Sequence, residues 1–535
     1  MKTMINSIIL ASCLALPLAS CSDSDAAPEQ KDWSTTTYFN SSDAAAQDTY
    51  YKPAVGYVGD PMPFFDPVAG DFKVLYLQDF RPNPEGTYHP IWGVSTKDAA
   101  HYTALGELVS CGTLKSQDAA IGTGSTIYDE ASKLYYTFYT GNKYKPTGDE
   151  SAQAVMVATS ADFKTWTKDR TFLLKGQDFG YDKNDFRDPF VFKGDDGKFH
   201  MLISTKKGGK GSLAEFVSDD LKNWTDNGVF MTMMWDRFYE CPDLFKMGDY
   251  WYLVYSEIHH AVRRVQYFKG RTLDELKACT ANDAGIWPDA HEGFLDSRGL
   301  YAGKTASDGT NRYLWGWCPT RSGKDNTAVG ASPAEPEWAG NLVCYKLIQH
   351  EDGTLTLGQV DAVSEKYNQD VAVEVKESQN MTEADGTYTL AGNVEQPDAY
   401  MLMGRLGNHN KISFTVTTSN EWDKFGISMV RGSDSKKYYT MVVNPENENN
   451  RKVNFEEQGV EGKGFIAGID GYVFARPADN VYNITIYTDN SICVMYINDV
   501  CSYTNRIYGI QKNCWSINSY NGANVKISNL KISQY

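Results

Sequence analysis

An all-β chain, a five-bladed β-propeller followed by a C-terminal β-sandwich, is the fold class the sequence predicts, and three observations carry it. Aromatic residues make up 13% of the 535 positions, with 34 Tyr and 12 Trp, while helix-forming runs of Ala, Leu and Glu are scarce. One hairpin pattern recurs five times between residues 45 and 368. Beyond residue 368 it gives way to alternating strands of another kind. A chain this long also exceeds what one ordinary core organises, so two domains are expected.

The N-terminus stands apart from both. Residues 1–20, "MKTMINSIILASCLALPLAS", place Lys2 before an apolar stretch and end in small residues, the pattern of an export signal. "LASC", Leu18 to Cys21, resembles a bacterial lipobox, which implies that Cys21 is lipidated and begins the mature chain. Residues 21–44 then form a lipid-anchored tether, and the acidic "SDSD" resembles tails of surface lipoproteins of glycan-degrading Gram-negative bacteria. No other apolar run reaches membrane-spanning length, so contact with a membrane is expected only through the anchor. An exported, outer-membrane lipoprotein, exposed on the cell surface, is the expected location.

Residues 45–368 contain the repeats. Each has a polar start, a short strand, a Gly/Asp turn and a second strand rich in Tyr, Phe and Leu: "GDPMPFFDPVAGDFKVLYLQDF", "GTGSTIYDEASKLYYTFYTGN", "FRDPFVFKGDDGKFHMLISTK", "YECPDLFKMGDYWYLVYSE" and "LDSRGLYAGKTASDGTNRYLWGW". Between them, Asp98/Tyr102, Asp162/Trp166 and Asp220/Trp224 mark turns leading to the last strand of a unit. Counted from Asp60, Gly124, Asp188, Glu240 and Asp296, the repeats step by 64, 64, 52 and 56 residues, the size of propeller blades.

In a propeller the innermost strand of each blade lines the central channel and opens on one face. Asp60, Asp188, Glu240 and Asp296 are therefore expected to converge there, with Gly124-Ser125 in the second repeat. Gathering like charges costs stability, which favours a functional site over accident. Such a cluster suits glycosidic bond cleavage, in which one carboxylate attacks and another donates a proton, or binding of a hard cation. A net charge of −17 with no basic stripe speaks against nucleic acid and anionic membrane surfaces as partners. The ten cysteines form no CxxC pair and have no His cluster beside them, so no metal site is expected, and no cofactor is implied. Phe64, Phe65, Trp92, Phe190, Tyr239, Trp315 and Trp317 could stack on sugar, although blade packing accounts for each one singly.

"GDPMPFF", "FRDPFVF" and "YECPDLF" together resemble the three signature blocks of glycoside hydrolase family 32, the invertase, inulinase and levanase enzymes. The resemblance extends to "LYLQDF" with Gln78, "PIWGVS" with Trp92, "GTGSTI" with Ser125, "RYLWGW" and "EWAGNLVCYKL". It implies a retaining fructosidase with Asp60 as nucleophile, Glu240 as acid/base and Asp188, beside Arg187, holding two hydroxyls of the fructofuranosyl ring. The Asp60 and Glu240 carboxyls are then expected about 5–6 Å apart. Gln78, Trp92, Ser125, Arg187 and Asp296 are the candidate substrate-binding residues. A fructan such as levan or inulin, or a sucrose-type sugar, is the expected substrate, and outer-membrane glycan-uptake proteins are candidate partners. The first block departs from the family: Gly59 replaces its Asn, and Met62-Pro63 replace the Asn-Gly that follows DP. The replaced side chains touch sugar in the family, so the exact sugar stays open.

Residues 369–535, with strands such as "KISFTVTTS", "KYYTMVVN" and "VYNITIYTD", are expected to form the sandwich and to pack against the propeller. Two other functions stand beside the first: an inverting five-bladed hydrolase of arabinan- or xylan-type furanosides, and a surface lipoprotein that binds glycan without cutting it.

Overall fold

Short apolar runs broken by Gly/Asp turns cannot bury themselves as helices, and they pair instead as antiparallel hairpins. A computed structural model describes residues 49–80, 89–233, 238–257, 264–279, 292–321, 336–431, 437–445, 452–456, 472–474, 476–507 and 509–535. The export signal, Cys21 and the tether lie outside the described residues.

The five repeats are five four-stranded units. Their first strands are Tyr57–Asp66, Ala120–Asp129, Phe186–Lys193, Glu240–Met247 and Tyr301–Ser307. Each of these contacts the next in order, and the fifth contacts the first, so the ring closes as a five-bladed propeller. Blade 5 also pairs directly with blade 1 at Val58 and Gly340. Apolar clusters fill the spaces between successive blades, for example Phe138, Val155, Phe186 and Met201 between the second and third. Asp98, Asp162 and Asp220 each accept backbone N–H groups two and three residues on, closing the turn before a blade's last strand.

The C-terminal region forms two antiparallel sheets around its own core. His409–Thr418 alternates buried and half-buried positions, as a strand with one face inward should. Ile492–Ile497 is buried on both faces. Cys493, Met495 and Ile497 belong to the sandwich core, while Ile492, Val494 and Tyr496 join the cluster shared with blades 1, 4 and 5. The sandwich is thereby fixed to the propeller by apolar burial, and Arg506 adds hydrogen bonds to Cys318 O and Pro319 O of blade 5 at 2.9 and 3.0 Å. None of the eight cysteines among the described residues forms a disulfide with another of them, and seven of the eight are buried. No helix among those residues is long and apolar enough to cross a membrane.

Candidate active site

Every blade's first strand slips its register near its start. The slips fall at Asp60-Pro61, Thr123, Asp188-Pro189, Cys241-Pro242 and Ala302-Gly303. A bulge leaves one residue outside the ladder, so a proline, which lacks an N–H, is tolerated there. The leading bulge residues Asp60, Asp188, Cys241 and Ala302 have φ of 28°, 58°, 51° and 52°. Non-glycine residues in that region cost on the order of 1–3 kcal/mol each, strain that clusters at functional sites.

This shared bulge gives the structural register of the repeat and corrects the one expected from the acidic residues. Asp60, Thr123, Asp188, Cys241 and Ala302 are equivalent, and Gly59, Gly122, Arg187, Glu240 and Tyr301 occupy the preceding position. Glu240 is thus one residue before the position of Asp60 and Asp188. Asp296 lies outside the repeat altogether.

The two rings explain the contacts. Arg187, Glu240 and Tyr301, equivalent on blades 3, 4 and 5, bond in a row: Arg187 Nη2 donates to Glu240 Oε1 at 3.0 Å, and Tyr301 OH to Glu240 Oε2 at 2.5 Å. Arg187 also pairs with Asp185 at 2.6 Å and stacks on Phe238, 3.9 Å from the ring centroid. In the other ring, Asp60 Oδ2 accepts from Thr123 Oγ1 and Oδ1 from Trp317 Nε1, both at 2.9 Å. Asp188 Oδ2 accepts from Cys241 N at 3.0 Å and lies 3.9 Å from Arg187 Nε. Asp60 is therefore held by two neutral donors, whereas Glu240 and Asp188 share the guanidinium.

Burial raises the pKa of Asp60, and the Glu240 charge adds to this, while the Trp317 and Thr123 donors oppose it. Burial likewise pushes Asp188 up to about 6; Arg187 pulls it down, and Glu240 and Asp60 push it up. The Cys241 thiol is driven far above its ordinary range by burial and the three carboxylates, which makes it a poor nucleophile.

The structure brings together Asp60, Asp188, Arg187 and Glu240, while the other candidates make their own contacts with different groups. Ser125 links blades 2 and 3, donating to Pro189 O and accepting from Val191 N, each at 2.9 Å. Gln78 is buried, with Nε2 on Val55 O at 2.5 Å. Trp92 packs edge-on against Phe80, centroids 5.8 Å apart. No hydrogen bond joins these three to the carboxylates. Asp296 is 1% exposed and faces the sandwich: it accepts from Ser297 N, Thr504 N, Thr504 Oγ1 and Ser502 Oγ at 2.5 to 2.9 Å. Its oxygens are thus consumed by the domain interface. Thr123, Tyr301 and the role of Trp317 escaped the sequence. The signal for the first two was the Pro or Gly that follows each leading bulge residue. Of the remaining aromatics, Tyr239, Trp315 and Trp317 are fully buried.

Gly59, the departure from the family's Asn, also has a structural cause. A Cβ there would lie 2.4 Å from the half-buried indole of Trp338. That ring stands 6.2 Å from Trp317, which holds Asp60, and 4.5 Å from His89. Trp338 thus occupies the space a side chain at position 59 would need.

A closed five-bladed ring gathering acidic groups from blades 1, 3 and 4, joined to a packed sandwich, is an architecture of the glycoside hydrolase class. The chain belongs to glycoside hydrolase family 32: the family's N-terminal domain matches residues 50–360, and the domain described as "GH32, BT1760-like, C-terminal domain" matches residues 353–532. Among curated relatives, a beta-fructofuranosidase (insoluble isoenzyme CWINV2) of Arabidopsis thaliana is 26% identical over 54% of this chain and 51% of its own length. A sucrose-6-phosphate hydrolase of Vibrio alginolyticus is 25% identical over 39% of this chain and 41% of its own. The chain thus spans about half the length of the first of these relatives. The solved sucrose-6-phosphate hydrolase from Lactobacillus gasseri superposes with a TM-score of 0.67 at 17% identity, covering 91% of this chain and 93% of the other. Fructan 1-exohydrolase IIa from Cichorium intybus gives 0.68 at 15%, covering 92% and 97%. At these identities the superpositions speak to the fold.

Proposed function

We propose that the protein is a retaining hydrolase of fructofuranosyl linkages, in fructans or sucrose-type sugars. The observation that carries this is the division of labour at the rim: Asp60 is held only by neutral donors, while Glu240 is oriented by Arg187 and Tyr301 across the same opening. Asp60 attacks the anomeric carbon as Glu240 protonates the departing oxygen. Glu240 then takes a proton from water, which releases the sugar from Asp60. Asp188, fixed by the Cys241 N–H, holds ring hydroxyls and stabilises the oxocarbenium-like state.

The test is incubation with levan, inulin, sucrose, sucrose 6-phosphate and arabinan, with the first-formed anomer followed by NMR. Fructose released with retained configuration is expected. Inversion would remove the nucleophile role from Asp60, and binding without release would leave a glycan-binding protein. Gly59→Ala, which pushes a carbon into the Trp338 indole, is expected to lower kcat/KM by about tenfold to a hundredfold through misplaced contacts beside Asp60. The reading extends to a lipidated Cys21 holding the enzyme at the outer membrane, where a polymer too large to enter the cell would be cut. Cys21→Ala should move the protein from the membrane fraction to the soluble one.

A further inference from the structure

One residue beyond the bulge, the five first strands place a third ring along the channel: Met62, Ser125, Phe190, Asp243 and Lys304. Lys304 is 2% exposed. Its Nζ donates to the carbonyl of Gly124 on blade 2 at 2.8 Å and lies 5.3 Å from the Phe190 ring centroid. No carboxylate oxygen among the described residues stands within 4.0 Å of it. Taking an ammonium out of water is costly, and one carbonyl does not repay that cost.

The compensation comes from groups slightly farther off. Burial lowers the Lys304 pKa, and the carboxylates of Asp243 on blade 4, Asp188 on blade 3 and Asp60 on blade 1 oppose it by favouring the charged ammonium. Asp243 is already engaged, accepting from Thr305 N and Thr305 Oγ1 at 2.7 and 2.6 Å, with Arg312 as a second cation beside it. Asp60 has no cation beside it, and Asp188 has only a share of Arg187, 3.9 Å away. At the rim, Arg187 serves Glu240, Asp188 and Asp185, and makes no hydrogen bond to Asp60.

We infer that Lys304 is a positioning residue of the active site, its charge in the channel floor allowing Asp60 and Asp188 to be ionised together. This rests on the reading of Asp60 as nucleophile, which must carry charge to attack. Asp60 faces Glu240, Trp317, Thr123 and Cys241, and none of these supplies a positive charge. Without Lys304, protonation of one carboxylate would relieve the repulsion among the three and leave the enzyme inactive at pH values where it now works.

Two neutral variants, Lys304→Met and Lys304→Gln, are compared with Lys304→Arg. The Asp60 titration is read without turnover, from the 19F resonance of 5-fluorotryptophan at Trp317, assigned with Trp317→Phe. The acid limb of kcat/KM is measured in parallel. Either neutral variant should move the Trp317 midpoint and the acid limb upward by about one pH unit, while Lys304→Arg keeps both near wild type. A midpoint unmoved in a folded neutral variant, or displaced equally by arginine, would make Lys304 a mere spacer between blades and overturn the inference. Failure of the fructosidase reading would appear separately, as wild-type protein that releases no sugar.

Discussion

Asp60→Asn and Glu240→Gln are each expected to lower kcat by about 10³-fold or more, and a change of leaving group should separate them. The amide at position 60 cannot attack, and its NH₂ would face one of the two donors, Trp317 Nε1 or Thr123 Oγ1. No substrate should rescue it. Glutamine at 240 keeps the shape bound by Arg187 and Tyr301 but has no proton to give. A fructoside with an acidic phenol as leaving group departs without protonation, so the first step should recover and the covalent intermediate should accumulate on Asp60. Burst kinetics and intact-protein mass spectrometry would detect it. Equal loss in both variants on both kinds of substrate would contradict the assigned roles.

The second large effect lies away from the rim. Asp296→Ala removes the acceptor of four hydrogen bonds and strands the Ser502 hydroxyl and the Thr504 N–H in a buried interface. Leaving buried donors unsatisfied on this scale should cost about 3 kcal/mol. Thermal unfolding should begin several degrees lower, and limited proteolysis should cut more readily between propeller and sandwich. KM should change little. The reverse pattern, an unchanged melting profile with a raised KM, would return Asp296 to the substrate side.

Asp296 also shows where the sequence misleads. An acidic residue recurring at blade-like spacing looked equivalent to Asp60, yet the blade's own bulge falls at Ala302, and Asp296 precedes the strand that carries it. Counting from Pro or Gly would have found the true register, because the bulge demands a residue that does without the ladder or tolerates the bend. That count also aligns Arg187, Glu240 and Tyr301. Gln78 and Ser125 are buried with side-chain bonds to backbone carbonyls, and Trp92 is half-buried against Phe80; residue type alone does not tell such side chains from ones that meet a ligand.

The sequence by itself determined the hairpins, their fivefold repetition, the change of pattern near residue 368, and the presence of Asp60, Asp188 and Glu240 near strand starts. These are local matters of alternation, turn chemistry and spacing, settled within some twenty residues of chain. Only the tertiary structure decided which acids come together, that Trp317 holds Asp60 from 257 positions away, and that Asp296 bonds to the sandwich. Closing the ring brings distant segments face to face, and a one-residue bulge rotates each side chain toward one neighbour or another. Neither leaves a periodic mark that short-range patterns record.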